Sequence, residues 1–596
     1  MKNIIKFIVI CLLLTSCEHY LDKKDLTGVD EGLIWNDEAT ATLFLNKTYA
    51  MVMPAWPNMR SAATLPTPIH NISDESNFGD NRPLYGTVGV EQVNDFMGAN
   101  NSNAYLFIRR LNIILQDIEA GTIPQDGKNR IKGQAYFLRA WVYFNLVKVH
   151  GGVPIITHPQ DWQEDDLRVA RNKTSECIDF IIEDLDMAAQ LLQNGLPATM
   201  GSDRGRVTRD AALAMKGRIL LYWASAQFNP QVDQARWERA YQANKAAYDE
   251  LTQTGYALFP SFEGVLTNSS ANNREVIFLR SYDGASVPNT FEHQARPFSQ
   301  TANGGGQHHP TWNLVKAFPM KNGKPAYKDG EALNGFDTLY YWKDRDPRFY
   351  ATVAYNGAIW ELSNQSNRKQ WNYRDVAEDR NRQTSTGFYC RKGVNPSTLA
   401  VDSNRGTTDW VEMRFAEVIL NLAESANATG RIAEAYDLVK MIRQRAGITN
   451  EDGNYGLEAG MGREEMDEAI MEERRIEFAF EGKRYDDLRR TRRFHLLNGQ
   501  RREALLIQVK APFTAAQLEA PDEFGVRLRE KLNLDTDYET YFQPAYAVLD
   551  TQFPINFQQN YYFYGIATSH IARNENLQQT LGWDPVTEAG YFDPLD

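Results

Sequence analysis

Cysteine is scarce in this chain of 596 residues, which contains four in total. Cys11 and Cys17 both fall within the first seventeen residues, so the remainder of the chain contains only Cys177 and Cys390. This spacing matches none of the paired-cysteine patterns that bind zinc. The sequence leaves open whether the two later cysteines are buried thiols or form one disulfide bond.

Long apolar runs are absent after the first sixteen residues, so no later segment is predicted to cross a membrane. The one apolar run, from Ile4 to Leu14, is too short to span a bilayer and is typical of an export signal. It is followed by Thr15-Ser16-Cys17, and this ending resembles the lipobox of bacterial lipoproteins. The resemblance predicts a signal peptide over residues 1–16 and an acylated membrane anchor at Cys17. An ordinary cleaved signal with a chance cysteine is the alternative.

Runs of basic residues are also absent, and the formal net charge is −13 at pH 7. An acidic surface without basic patches argues against nucleic acid as a partner. Gly304-Gly305-Gly306 lacks the Gly-Lys-Ser/Thr that completes a phosphate loop, and no Gly-x-Ser-x-Gly nucleophile motif occurs. His308 and His309 are adjacent in a loop with no third metal ligand indicated, so we interpret them as ordinary loop histidines.

Apolar residues recur with helical spacing along much of the chain. The strongest case is 129–150, which is apolar nearly all round and is therefore predicted to lie centrally. Further helices are predicted at 37–53, 103–120, 174–193, from 208 onward, and at 235–252, 409–428, 432–445 and 464–493. Paired amphipathic helices with small residues at their crossings resemble tetratricopeptide repeats. The predicted fold class is mainly α, built from helical hairpins.

The character of the sequence changes near Gly255, where Gly, Asn and Pro become frequent among scattered Trp, Tyr and Arg. Apart from a short strand at 276–279, this stretch is too irregular for a repeat and too aromatic for disorder. We predict a large loop-rich insertion that packs on the helices and forms the ligand face. The predicted organisation is a signal peptide (1–16), an N-terminal helical region (17–254), the loop-rich insertion (255–406), a helical-repeat region (407–498) and an irregular C-terminal region (499–596).

Several segments, in order along the chain, resemble the signature sequences of the SusD/RagB family. They are 133–140 with 151–154, 412–420, 442–447, 472–484 and 582–583. Together with the lipobox, the resemblance extends from residue 17 to residue 583. The chain departs from the family pattern at 562–566, where a Pro-containing turn is usual, and at 100–103, where a Trp is often found.

The resemblance implies a lipoprotein on the outer face of the outer membrane of Bacteroidetes-type bacteria, without catalytic activity. It implies capture of oligosaccharides, or of peptides in some branches, for delivery to a SusC-like TonB-dependent β-barrel transporter. The charged segment 472–490 contains Glu477 and Glu481 one turn apart, which is more typical of ion-pair networks than of acid–base catalysis. A secreted glycoside hydrolase and a purely structural adaptor are the alternatives from other classes. No cofactor is predicted, and Ca²⁺ binding by carboxylate-rich loops is left open.

Aromatic residues in loops are the predicted ligand contacts, because the apolar face of a sugar ring stacks on Trp or Tyr while its hydroxyls need polar partners. Trp residues on predicted helices, such as Trp141, are expected in the core instead. The first loop region resembles, around Asp74, a loop that contributes to the family's site. The candidates are Trp56, Asn71, Asp74 and Tyr85 in the first region and Arg296, Trp312, Trp342, Trp360, Trp371 and Tyr373 in the second.

Overall fold

The computed structural model describes residues 31–53, 56, 69–79, 81–93, 104–196, 201–268 and 273–596. The predicted signal peptide and Cys17 lie outside the described residues. Helices make up 44% and strands 10% of the structure, which confirms the predicted mainly α class. Among the described helices, none is both long enough and apolar enough to cross a bilayer.

Ten helices of seven or more residues, labelled in chain order, form the scaffold of the described part. They are α1 (Glu38–Val52), α2 (Ala104–Asp117), α3 (Gln125–His150), α4 (Thr174–Leu191), α5 (Arg209–Ala224), α6 (Gln234–Thr254), α7 (Phe415–Ala428), α8 (Ile432–Ala446), α9 (Arg463–Glu477) and α10 (Arg484–Arg490). The central helix is α3, as predicted, because it packs against α1, α2 and α4. The succession continues from α4 to α5, α6, α7 and α8, each packed on the one before.

Local sequence signals explain where these helices begin and how closely neighbouring helices pack. Asp37 caps α1 by accepting a hydrogen bond from the Thr40 amide at 2.8 Å, and Thr208 caps α5 in the same manner. Gly217 allows α5 and α6 to cross closely, since a Cβ there would lie 2.4 Å from the Asn244 side chain. The small residues predicted at helix crossings therefore serve that purpose here.

Strands occur only in pairs within the described residues. β1 (Val276–Arg280) pairs antiparallel with β2 (Trp410–Arg414), and β3 (Glu503–Val509) pairs antiparallel with β4 (Phe542–Val548). Two-residue ladders join Tyr327–Lys328 to Glu331–Ala332, Val353–Ala354 to Tyr389–Cys390, Ala358–Ile359 to Lys369–Gln370, and Gln579–Thr580 to Tyr591–Phe592. The predicted strand at 276–279 is thus confirmed as β1.

Three sequence-based predictions of secondary structure were wrong in part. The helix expected from 409 begins at Phe415, because the preceding residues pair with β1. The helix expected over 464–493 is interrupted after α9, where Phe480 and Gly482 adopt φ values of 61° and 71°. The C-terminal region, expected to be irregular, contains the antiparallel β3–β4 pair.

Two large apolar cores, and a small one around Leu279, hold the described chain together. The helical core is built by the scaffold helices and extends to aromatic residues near the C-terminus, including Tyr561 and Trp583. The aromatic core lies in the loop-rich part and gathers side chains from residues 312–390 and 505–542 around Trp312. Ile476, at the end of α9, and Ala479 and Phe480 just after it also contribute. Cys177 and Cys390 are buried free thiols, so the disulfide alternative is excluded.

Candidate functional site

A polar cavity of about 540 Å³ opens in the loop-rich part of the molecule. It is lined by residues from three segments, 299–300, 365–379 and 525–530. Its volume falls within the range of about 300 to 1,000 Å³ that is usual for ligand sites. We call it the polar cavity.

Lys369–Gln370 lines one wall of the polar cavity and leads directly into Trp371; this strand pairs with Ala358–Ile359 in a short ladder. The Trp371 indole Nε1 donates a hydrogen bond to Glu530 Oε1 at 2.9 Å, which links this wall to the opposite segment. The Trp371 ring stacks on Phe542 with centroids 5.8 Å apart. Because the ring is anchored on both sides, the base of the polar cavity is held in place by the aromatic core.

Arginine and glutamate side chains alternate on one side of the polar cavity. Arg529 forms ion pairs with Glu378, Glu519 and Glu530, and Arg527 forms them with Glu378 and Glu519. Burial alone would raise the pKa of Glu378, but its hydrogen bond to Arg529 and the charge of that residue outweigh burial and lower the pKa to about 2. The two arginines and three glutamates thus form one network of ion pairs with a net charge of −1, fixed by mutual hydrogen bonds.

Arg368 and Lys369, on the opposite side, donate hydrogen bonds to neutral oxygen atoms instead of carboxylates. The Arg368 guanidinium donates to Gln370 Oε1 at 2.8 Å, and Lys369 Nζ donates to the carbonyl oxygens of Glu530 and Leu532. The described part of the chain offers neither cation a carboxylate in ion-pair contact. Asp379 faces the same space, and burial raises its pKa. Donors and acceptors are therefore interspersed around the polar cavity, an arrangement that suits a hydroxyl-rich ligand.

A tight turn at 521–527 borders the polar cavity and carries an exposed ring. Asp522 Oδ1 accepts hydrogen bonds from the backbone amides of Phe524 and Val526 at 2.8 and 2.9 Å, so the turn is ordered. Phe524 is 81% exposed, although its neighbour Gly525 lines the polar cavity. Sequence reasoning missed this aromatic residue; a lone Phe inside an Asp-x-Phe-Gly turn was the available signal.

Comparisons with known proteins decide the family. The model described as the SusD family matches residues 274–583, and a second, described as starch-binding and associating with the outer membrane, matches residues 21–221. The first model alone covers more than half of the chain. This chain belongs to the SusD family.

Individual SusD-like proteins resemble the chain over most of its length. The SusD-like protein P38 of Formosa agariphila is 23% identical over 521 residues, which cover 82% of this chain and 92% of that protein. A solved SusD-like protein from Bacteroides fragilis aligns with a TM-score of 0.73 at 24% identity, covering 94% of this chain and 99% of the other. A solved SusD-like carbohydrate binding protein from the same species aligns at 0.71 with 21% identity, covering 91% and 100%. The two structures establish the shared fold.

Family membership makes this SusD-like chain a binding protein rather than an enzyme, as the sequence predicts. The charged segment around α9 agrees with that interpretation. Glu477 is fully buried and contacts Arg348, Arg414 and Arg445, so its carboxylate is committed to an ion-pair network. Within the described ranges, no group of three or more His, Cys, Asp or Glu side chains is arranged to hold a metal ion.

The aromatic residues proposed from the insertion are buried instead of exposed. Trp312, Trp342, Trp360, Trp371 and Tyr373 are each at most 5% exposed. All except Trp360 belong to the aromatic core, while Trp360 belongs to the helical core. The expectation that these rings present open faces was wrong for this reason: the loops bury their large rings to stabilise themselves. Trp371 still borders the polar cavity, and Trp312 borders a second groove.

The remaining proposed residues also make structural contacts. Asp74 pairs with Arg475 and Arg484, at 2.8 and 2.9 Å, and Asn71 is fully buried. Arg296 is buried against Glu292 at 2.7 Å. Two further candidates complete the set: Tyr85 donates to Asp550 Oδ1 at 2.7 Å, and the buried Trp56 stacks on Phe291 with centroids 3.8 Å apart. None of these residues borders the polar cavity.

Proposed function

We propose that this chain is a cell-surface lipoprotein that captures an oligosaccharide and delivers it to a SusC-like TonB-dependent transporter in the outer membrane. The observation that carries the proposal is the polar cavity, whose size and mixed donors and acceptors match a short stretch of sugar residues. Family membership and the similarity to a structure described as carbohydrate binding support the same conclusion.

The chemistry of the polar cavity favours sugar hydroxyls over a purely charged or apolar ligand. Each hydroxyl both donates and accepts a hydrogen bond, and Gln300, Gln365 and Ser366 can meet both requirements. Arg368 and Lys369 add donors at the rim. Because such contacts replace contacts with water, each contributes only about 1 kcal/mol, and affinity is expected to be modest.

Delivery at the cell surface requires an anchor, which we assign to an acylated Cys17. Residues 18–30 are mostly polar and charged and would separate the anchor from the folded body. Two or more acyl chains hold a protein stably on a membrane, whereas a single chain holds it only marginally. Replacing Cys17→Ser should release the protein from the outer membrane; equal retention of the variant would contradict the assignment.

A glycan array probed with the chain lacking residues 1–17 tests ligand capture. For the glycan that binds, Gln365→Ala combined with Lys369→Ala should weaken binding about tenfold in calorimetry, because two hydrogen-bonding groups are lost. The matched control is Gln242→Ala with Lys440→Ala, which changes the same residue types on helices α6 and α8. Equal affinities for the two double variants would show that the polar cavity is not the binding site.

A further inference from the structure

A second groove, separate from the polar cavity, lies between the short helix Trp312–Ala317 and the antiparallel β3–β4 pair. It has a volume of about 300 Å³ and is lined by Trp312, Lys316, Tyr327, Glu503 and Tyr546, among others. We refer to it as the tyrosine groove. No residue lines both the tyrosine groove and the polar cavity.

Tyr546 is the unusual residue of this groove. It sits in the middle of β4 and is 59% exposed, although its cross-strand partner Leu505 is fully buried. Its ring centroid lies 6.4 Å from that of Trp312, with the two planes inclined by 58°. Tyr327 stands half-buried on the same groove. Two tyrosine rings with a buried tryptophan beneath them therefore form one aromatic recess open to solvent.

Polar groups stand at the edge of the recess. Lys316 Nζ forms an ion pair with Glu503 Oε2 at 2.6 Å and lies 4.6 Å from the centre of the Tyr327 ring. The Glu503 carboxylate remains accessible to solvent. Its position is fixed at the backbone, because Glu503 pairs with Val548 of β4. The groove thus offers a donor and an acceptor next to an aromatic face.

The elements beneath the groove keep these groups in fixed positions before any ligand arrives. Tyr546 and Glu503 belong to the seven-residue ladder of β3 with β4. Trp312 begins the short helix Trp312–Ala317, which is capped by the Thr311 hydroxyl accepting from the Leu314 amide at 3.1 Å. A site that is already ordered loses less conformational freedom on binding, so even a small ligand can be held there.

From this geometry we infer a second carbohydrate-binding site that takes a single pyranose ring of a neutral sugar. The apolar C–H face of the ring stacks on Tyr546, and its hydroxyls contact Lys316 and Glu503. An anionic sugar would meet the Glu503 carboxylate, and a purely apolar ligand would leave the ion pair without polar partners. The inference is independent of which glycan occupies the polar cavity.

Saturation-transfer NMR with methyl β-D-glucopyranoside and methyl β-D-galactopyranoside as probes tests this site on the chain lacking residues 1–17. Saturation should be strongest at ring hydrogens on one face of at least one probe, since only that face contacts Tyr546. Tyr546→Ala should reduce the transfer about fivefold, while Tyr546→Phe, which keeps the ring, should retain most of it. Unaltered near-ultraviolet circular dichroism would show that Tyr546→Ala remains folded.

The matched control is Tyr591→Ala, which removes another exposed tyrosine on a short strand far along the chain. No transfer to either probe, or transfer that Tyr546→Ala leaves unchanged, would overturn the inference. Lys369→Ala, in the polar cavity, should leave the transfer intact. If Lys369→Ala abolishes it instead, the probes bind in the polar cavity: the second site is then refuted while the proposed function stands.

Discussion

The helical scaffold and the loop-rich remainder bury their side chains in different ways. The central helix α3 is buried on almost every side, and aliphatic, alanine and aromatic residues share its surroundings. The aromatic core has no long helix or wide sheet to align its residues, and it is dominated by rings such as Trp312, Tyr341 and Trp342 in mutual contact. The helical scaffold is ordered by regular backbone structure, whereas the loop-rich region is ordered by packing between large side chains.

This difference changes how aromatic content should be interpreted. A Trp or Tyr side chain buries about 150–250 Å² and so contributes more per residue than any aliphatic side chain. Loops with few backbone ladders need such residues to offset the loss of conformational entropy. Abundant Trp in an irregular stretch of sequence therefore indicates an ordered loop, and by itself it does not indicate an aromatic surface for a ligand.

The largest expected effect tests whether a buried Trp of the loop-rich region stabilises the fold as much as a buried Trp of the helical scaffold. Trp342→Ala in the aromatic core and Trp141→Ala in the helical core should each lower the free energy of unfolding by about 4 kcal/mol, because both rings are 5% exposed. Urea denaturation measures the change. Trp162→Ala is the control, since that ring is 77% exposed and its loss should cost under about 0.5 kcal/mol. A stable Trp342→Ala variant with weakened glycan binding would support the original prediction that Trp342 contacts the ligand.

A second test addresses the junction between the two regions, where buried ion pairs replace apolar contacts. Glu477 of α9 joins Arg348 of the insertion to Arg414 and Arg445 of the helical part. Glu477→Gln removes the shared negative charge and should destabilise the chain by about 3 kcal/mol in urea denaturation. Glu472→Gln, at an exposed ion pair on the same helix, should cost well under 1 kcal/mol. Similar costs for both would mean that the junction does not depend on this network.

These contrasts explain what could be predicted from the sequence. Helical spacing predicted α3 correctly, and the alternating charges around Glu477 and Glu481 correctly predicted an ion-pair network, because both signals are local. The exposure of a loop Trp depends on which distant segments cover it, as Phe542 covers Trp371, and no local pattern contains that information. The exposed rings Phe524 and Tyr546 were missed for the same reason. The order of the family's motifs predicted the fold, but not the lining of the sites.

A third effect, confined to high pH, distinguishes two neighbouring carboxyl groups at the junction. Asp74 is paired with arginines, whereas Glu75 Oε2 has no hydrogen-bond partner among the described residues. Burial, together with the charge of Asp74, raises the pKa of Glu75 to about 8, against about 4.3 in the unfolded chain. Since the folded pKa is the higher one, the contribution of Glu75 to stability is full below about pH 4 and is lost as pH rises towards 8.

Glu75→Gln should remove this dependence. We expect the variant to be more stable than the parent by roughly 4 kcal/mol at pH 8 and by only about 1 kcal/mol at pH 5, in urea denaturation at both values. Glu468→Gln, at an exposed position of α9, should behave like the parent throughout. A parent chain whose stability does not fall over this range would show that water or another group satisfies the Glu75 carboxylate.

The smallest expected effect separates structural rings from ligand-binding rings within the loop-rich region. Phe524 lies in an ordered turn beside the polar cavity and buries little surface, so Phe524→Ala should change stability by less than about 0.5 kcal/mol. If the exposed ring contacts bound sugar, the same change should weaken binding of the array-identified glycan roughly threefold to tenfold in calorimetry. Trp162→Ala removes an equally exposed ring from a different surface and should leave affinity unchanged. A loss of stability without a loss of affinity would place Phe524 with the buried rings of the aromatic core, and the distinction between the two kinds of loop aromatic would fail.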